Sequence, residues 1–82
     1  MRVHVLAFAR MRELLGGASH DLEIEDGATA ADVWDALANR YAAMAPLAGS
    51  TRIARNGRVL ADSTERLEDG DELSLLPPAG GG

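Results

Sequence analysis

The hydrophobic pattern at the start of the chain predicts a strand followed by a short helix. One face of the strand holds Val3, Val5 and Ala7, and the other holds His4, Leu6 and Phe8. This alternation has the two-residue period of a strand. In the segment 10–15 the apolar residues Met11, Leu14 and Leu15 are three to four positions apart, as on one face of a helix. Gly16-Gly17 then predicts the end of that helix.

The next pattern predicts a strand with one acidic face and then the main helix. One face of this strand holds His20, Leu22 and Ile24, and the other, acidic face holds Asp21, Glu23 and Glu25. Asp26-Gly27 then predicts a turn. Thr29 followed by Asp32 resembles a capping box, with Asp in place of the usual Glu. The helix runs to about Ala43, because Pro46 prevents it from continuing much further. Its apolar face is formed by Ala30, Val33, Trp34, Leu37, Ala38 and Tyr41.

The last third of the chain predicts a hairpin and a final strand. Asn56-Gly57 is a strong two-residue hairpin signal, and it joins segments 51–55 and 58–60. A turn at 68–71 leads to the apolar strand 73–76. Strands, a crossing helix and a hairpin predict an α+β fold of the β-grasp (ubiquitin-like) kind, in which a small mixed sheet packs on one helix. We expect this domain to span residues 1–76, with a tail at 77–82.

A single helix covers one face of a sheet, so each strand should have a buried side and an open side. In a β-grasp fold the first and last strands lie side by side and parallel in mid-sheet. Val3, Val5, Leu73 and Leu75 should then face the helix. Leu6, Phe8 and Leu76 should lie together on the open face, and we predict that they form an apolar patch that binds a partner.

Composition narrows the class of protein. Eighty-two residues make one small domain. The net charge of −5 argues against nucleic acid as a partner. There is no cysteine, no signal-peptide pattern and no apolar run of membrane-spanning length, so we expect a soluble, cytoplasmic protein that needs no membrane. All eight basic residues are Arg. An activated carboxyl terminus would therefore meet no lysine of its own chain.

The segment Pro77-Pro78-Ala79-Gly80-Gly81-Gly82 is the most unusual part of the sequence. Two prolines fix φ and favour an extended base. Three glycines make a slim, flexible tip that a narrow cleft could accept, since any Cβ would clash there. The segment reads as a terminus delivered to another protein. A frayed end or a linker remnant are the other interpretations.

Elsewhere the sequence offers no convincing reactive site. His4 and His20 fall on different strands without ligand spacing, so we expect no metal site. The acidic residues 21–26 fit a solvated strand face, and the serines lack a recognisable nucleophile motif. Trp34 fits a packed helix residue better than a ligand platform. The terminus is therefore the main candidate for chemistry.

The chain resembles a known family, the small subunits of molybdopterin synthase. Three segments carry the resemblance: Phe8 to Gly16 after the first strand, Asn56-Gly57, and the stretch from Asp69-Gly70-Asp71-Glu72-Leu73 to the end. The most specific element is the Pro77-Pro78 pair shortly before the glycines. The terminal pair of the family falls on Gly81-Gly82. Gly80 departs from the family, whose members more often carry a small polar or apolar residue there.

The resemblance implies a sulfur carrier rather than a catalyst. A ubiquitin-activating-like adenylyltransferase would use ATP to make an acyl-adenylate at Gly82. A sulfur donor protein would then displace AMP and leave a C-terminal thiocarboxylate, with no cofactor bound to the chain itself. The thiocarboxylate would enter the large subunit of molybdopterin synthase and pass its sulfur to cyclic pyranopterin monophosphate.

Two alternatives stay open at the level of sequence. One is a sulfur carrier for another product, such as thiamine, cysteine or thiolated tRNA, although the Pro77-Pro78 pair argues against the thiamine carrier. The other is a ubiquitin-like modifier that is conjugated through Gly82 to lysines of other proteins. A terminal Gly-Gly is shared by ubiquitin-like carriers of several kinds.

Overall fold

The elements follow one another as the hydrophobic pattern predicts. The structure is a computed structural model that describes residues 1–77; residues 78–82 lie outside the described part. The strands are β1 (Arg2–Ala7), β2 (Ser19–Glu23), β3 (Arg52–Arg55), β4 (Arg58–Val59) and β5 (Glu72–Leu76). The helices are α1 (Arg10–Leu15), α2 (Ala30–Arg40) and a 3₁₀ helix, Ala42–Leu47. Within residues 1–77 no helix has the length and apolar character needed to cross a membrane.

The strands form one mixed sheet in the order β2-β1-β5-β3-β4. β1 and β5 are parallel neighbours in mid-sheet, with Val5 opposite Leu73 and Ala7 opposite Leu75. The other strand pairs are antiparallel. This is the ubiquitin-like β-grasp fold, as the sequence predicted.

The core lies between the sheet and α2. Val3, Val5, Leu73 and Leu75 are each at most 1% exposed, and they pack with Val33 and Leu37 of α2. Each such apolar side chain contributes about 1.5–3 kcal/mol when it is fully buried. The predicted assignment of the two strand faces is confirmed.

The capping box predicted for α2 is present, but the predicted end of the helix is wrong. The Thr29 N–H donates to the Asp32 carboxylate at 2.9 Å, and the Asp32 N–H donates to the Thr29 hydroxyl at 3.2 Å. The helix ends at Arg40, three residues before Ala43, and Tyr41 leaves helical geometry at φ −123°. Residues 42–47 tighten into the 3₁₀ helix, which contains Pro46 and places Met44 in the core at 0% exposure. Burial of one apolar side chain therefore outweighs the helical preference of the alanines before it.

The hairpin forms at the predicted residues. Asn56 and Gly57 both have positive φ, at 49° and 87°, as a type I′ turn requires. The strands on each side are one residue shorter than predicted, yet the Leu60 N–H still donates to the Ile53 carbonyl at 2.8 Å.

Candidate functional site

The root of the tail lies where the middle of the sheet ends. β5 runs between β1 and β3, and its last residue, Leu76, is followed by an exposed Pro77. Because β1 is parallel to β5, the two strands end at the same edge. Of the predicted tail residues, Pro77 is described, whereas Pro78, Gly80, Gly81 and Gly82 lie outside the described residues.

An apolar groove of about 200 Å³ opens at this edge. Phe8, Leu76 and Pro77 line it together with Met11 and Leu47, and Arg10 and Thr51 are among the polar residues at its sides. Phe8 is 44% exposed, and within residues 1–77 Val59, at 40%, is the other exposed large apolar residue. The root of the tail therefore emerges beside an uncovered aromatic ring.

The structure brings two of the three predicted patch residues into this groove. Phe8 and Leu76 meet there, as predicted. Leu6 lies on the same open face but opposite Ser74, one row further from the edge, and it does not line the groove. What binds this patch remains a prediction.

The backbone next to Phe8 differs from the sequence prediction. β1 ends at Ala7, so Phe8 lies outside the strand in which the alternation had placed it. The Met11 N–H donates to the Phe8 carbonyl at 3.1 Å, and Ala9 between them has φ 52° and ψ −125°. A residue with a Cβ pays a steric cost there, of about 1–3 kcal/mol. The turn separates the end of β1 at Ala7 from the start of α1 at Arg10.

Charged and uncharged residues occupy different rows on the open face of the sheet. At the edge far from the tail root, Arg2 pairs with Glu23 at 3.0 Å and His4 pairs with Asp21, each across β1 and β2. Glu72 lies opposite His4 on the other side. The next row towards the tail root carries no charge and consists of Ser19, Leu6, Ser74, Ala54 and Val59.

A second feature, missed in the sequence, is a polar network that fixes the start of β5. The Asp71 carboxylate is buried and accepts hydrogen bonds from Arg55 at 2.8 Å, from Asn56 at 3.0 Å and from the Glu68 N–H at 2.8 Å. Arg55 also pairs with Glu65 at 2.7 Å. The sequence pattern identified Asp71 only as a turn residue. No neighbouring residue indicates that its carboxylate contacts Asn56, in a hairpin fifteen residues earlier.

The network sets the ionisation of its carboxylates. Burial raises the pKa of Asp71, but the hydrogen bonds from Glu68 and Asn56, with the hydrogen bond and charge of Arg55, outweigh burial and hold that pKa below its usual value. The hydrogen bond from Arg55 likewise lowers the pKa of Glu65. These charged groups stabilise the join between the hairpin and β5.

The two histidines occupy separate places. His4 lies on the open face beside Asp21, and His20 lies on the helix side with a ring nitrogen 3.3 Å from the Gly17 carbonyl oxygen. Residues 1–77 contain no group of three or more His, Cys, Asp or Glu side chains placed to hold a metal ion. Trp34 is half-buried and lines a larger groove, of about 430 Å³, between α2 and the β3–β4 hairpin.

The fold, with a groove at the root of a glycine-ended tail, defines a small ubiquitin-like β-grasp protein. Residues 5–82 match the model of the ThiS family, and the chain belongs to that family. It is 31% identical over 84 residues to the molybdopterin synthase sulfur carrier subunit of Drosophila yakuba, covering 100% of this chain and 92% of the relative. It is 35% identical over 88 residues to that of Aedes aegypti, covering 100% and 90%.

Solved structures agree with these relatives. A putative molybdopterin converting factor subunit 1 from Pyrococcus furiosus superimposes with a TM-score of 0.87 at 29% identity, covering 95% of this chain and 98% of that one. SAMP1 from Haloferax volcanii gives 0.84 at 28%, with both chains fully covered. A complex of subunits 1 and 2 of molybdopterin-converting factor from Helicobacter pylori gives 0.72 at 26%, again with full coverage. The resemblance found in the sequence is confirmed.

Proposed function

We propose that this chain is the sulfur carrier subunit of a molybdopterin synthase, with Gly82 as the residue that carries the sulfur. The observation that supports this most directly is the match to sulfur carrier subunits along the whole chain. The exposed apolar groove at the root of the tail supplies a place for a partner to hold the domain while it receives the tail.

The proposed chemistry uses the carboxylate of Gly82 in two steps. A ubiquitin-activating-like adenylyltransferase joins it to the AMP part of ATP and releases pyrophosphate, which turns a poor electrophile into a good one. A sulfur donor protein that carries a persulfide then attacks the acyl carbon through its outer sulfur, and AMP leaves as an acyl disulfide forms. A thiol cleaves that disulfide, which releases the thiocarboxylate and leaves the thiol joined to the donor sulfur in a new disulfide. Because activation consumes ATP, we place these steps in the cytoplasm.

The length of the tail allows the sulfur to be delivered into a cleft of the partner. Six extended residues, 77–82, span at most about 20 Å. A domain docked at the mouth of a cleft can therefore place its terminus well inside while its sheet stays outside. In the large subunit, the thiocarboxylate sulfur passes to cyclic pyranopterin monophosphate. Gly82 returns to a carboxylate when water takes the place of sulfur at the acyl carbon.

Docking has to offset the entropy lost when the tail is held in place. That cost is roughly 1–2 kcal/mol for each ordered residue. Glycines bring little apolar area to a cleft, so the domain must supply the remaining contacts. Phe8 and Leu76 are placed to do so, because their side chains line the groove beside Pro77.

The test is intact-mass measurement combined with a transfer assay. After incubation with ATP, the activating enzyme and the sulfur donor, the chain should gain the mass difference between sulfur and oxygen. Adding the large subunit and cyclic pyranopterin monophosphate should then return the mass and form molybdopterin. A chain that gains sulfur but forms no molybdopterin would overturn this product assignment in favour of another sulfur pathway.

A protein modifier is the second candidate, favoured by the similarity to SAMP1, which is named as a small archaeal modifier protein. The same experiment separates the two functions. A modifier would appear as higher-mass conjugates to lysines of other proteins, and its terminus need not exchange oxygen for sulfur.

A further inference from the structure

Two arginines stand on either side of the root of the tail. Arg52 of β3 lies directly opposite Leu76, the last residue of β5. Arg10 lines the apolar groove on the β1 side, two residues after Phe8. Both side chains are exposed. Because β5 lies between β1 and β3, the chain leaves the sheet between two positive charges.

The arginines of this chain fall into two groups, those paired with a carboxylate and those without such a partner. Arg2, Arg55 and Arg58 each lie within 4.0 Å of a carboxylate. Within residues 1–77, five arginines have no such partner: Arg10, Arg12, Arg40, Arg52 and Arg66. Of these five, Arg10 lines the groove at the tail root and Arg52 lies opposite Leu76.

The acidic groups of the open face lie away from this edge. Asp21, Glu23 and Glu72 occupy the rows at the far end, and the uncharged row through Leu6 and Ser74 separates them from Arg52. The open face is thus positive and apolar at the tail root and negative at the other end. A protein of net charge −5 presents a positive region just where its tail departs.

The charge at the root acts separately from the charge at the tip. A carboxylate or thiocarboxylate at Gly82 is negative and can lie up to about 20 Å from Pro77, which exceeds the screening length of about 8 Å at physiological salt. The tip therefore meets the interior of a cleft, while Arg10 and Arg52 meet the surface around its opening.

We propose that Arg10 and Arg52 pair with carboxylates on the large subunit of molybdopterin synthase, in an acidic rim around the opening that admits the tail. This rests on the proposed function and adds the chemistry of the partner surface. Charges at the edge of an interface mainly set the rate of association and its dependence on salt. The groove supplies apolar contact, and the arginines orient the domain so that the tail points into the cleft.

The experiment measures association with the cognate large subunit by stopped flow at several salt concentrations. The full chain is compared with Arg10→Glu, Arg52→Glu and the double variant. Arg66→Glu is the control. Arg66 is also exposed and has no carboxylate partner within residues 1–77. Its backbone forms a β-bridge with Thr29 at the start of α2, far from the tail root. Unfolding curves confirm that each variant is folded.

We expect the double variant to associate about tenfold more slowly at low salt and to lose most of the salt dependence, while Arg66→Glu stays near the parent rate. If the parent chain binds and the double variant binds with the same rate and salt dependence, the proposal of an acidic rim is wrong, but the proposed function stands. A parent chain that forms no complex at all would overturn both.

Discussion

The Asp71 carboxylate and the Arg55 guanidinium meet at 2.8 Å in the interior, joining the hairpin to the start of β5. Their side chains are only 9% and 17% exposed. We expect Asp71→Ala to lower the free energy of unfolding by about 2–3 kcal/mol, because the Arg55 Nε–H, the Asn56 amide and the Glu68 N–H lose their acceptor, and Arg55 keeps Glu65 as its close ion-pair partner. Urea unfolding measures this change.

Asp21→Ala is the matched control, because it removes an exposed carboxylate that pairs with His4 across two strands. Exposed pairs contribute at most about 1 kcal/mol. If both substitutions cost the same, the Asp71 network does not have the structural role that its geometry indicates.

The same carboxylate predicts how stability depends on pH. The folded-state pKa of Asp71 lies below its unfolded value. Its contribution is therefore complete above the unfolded pKa of about 3.9, and it is lost as the pH falls through the lower folded value. We expect unfolding free energy to fall below about pH 4, and to fall less steeply in Asp71→Asn. Equal slopes for both proteins between pH 5 and 2 would contradict this.

Phe8 should matter for binding rather than for folding. Phe8→Ala should weaken binding to the large subunit by about 2 kcal/mol, roughly thirtyfold in Kd, while changing the unfolding free energy by less than about 1 kcal/mol, since the ring is already 44% exposed. Calorimetric titration and urea unfolding give the two numbers.

Two variants check the Phe8 result. Val59→Ala removes a similarly exposed apolar side chain from the edge strand β4, and it should leave binding nearly unchanged. Val5→Ala, at a core position with 0% exposure, should instead lose stability by about 1–3 kcal/mol. A Phe8→Ala protein that unfolds would show that the ring is structural.

The turn at Ala9 stores strain that glycine would release. Its φ of 52° suits a residue without Cβ. We expect Ala9→Gly to raise the free energy of unfolding by up to about 1 kcal/mol. Ala36→Gly on the exposed side of α2 is the control and should lower it by about 1 kcal/mol. Loss of stability in both variants would contradict the strain at Ala9.

The reactive end should tolerate no extension. One residue added after Gly82, or deletion of Gly82, should abolish adenylation, because the carboxylate is displaced from the attacking geometry. Thermal stability should hardly change, since the sheet ends at Leu76. Pyrophosphate release in the presence of the activating enzyme measures the first step. A C-terminally tagged chain with full sulfur transfer would overturn the assignment to Gly82.

Features set by neighbouring residues could be predicted from the sequence. The two-residue alternation in β1 and β5, the capping box at Thr29 and the turn at Asn56-Gly57 all formed where the pattern indicated. The alternation also assigned Leu6, Phe8 and Leu76 to the open face. Their causes lie within a few positions along the chain, so the sequence displays them directly.

Other features depend on residues that meet only after folding. The early end of α2 reflects burial of Met44 in the core, which competes with local helix preference. The strained turn at Ala9 forms where β1 gives way to α1. Neither has a local signature, because the free energy that favours it comes from packing between distant segments.

The sequence by itself determined the β-grasp fold, the two faces of its sheet and the candidate tail with its glycine end. Only the tertiary structure showed that Asp71 is buried against Arg55, and that Arg10 and Arg52 flank the root of the tail. The physical reason is that short-range periodicity fixes which way a side chain points. The register between strands far apart in the chain then decides which side chains become neighbours, and so where charges are paired and where they are left facing outward.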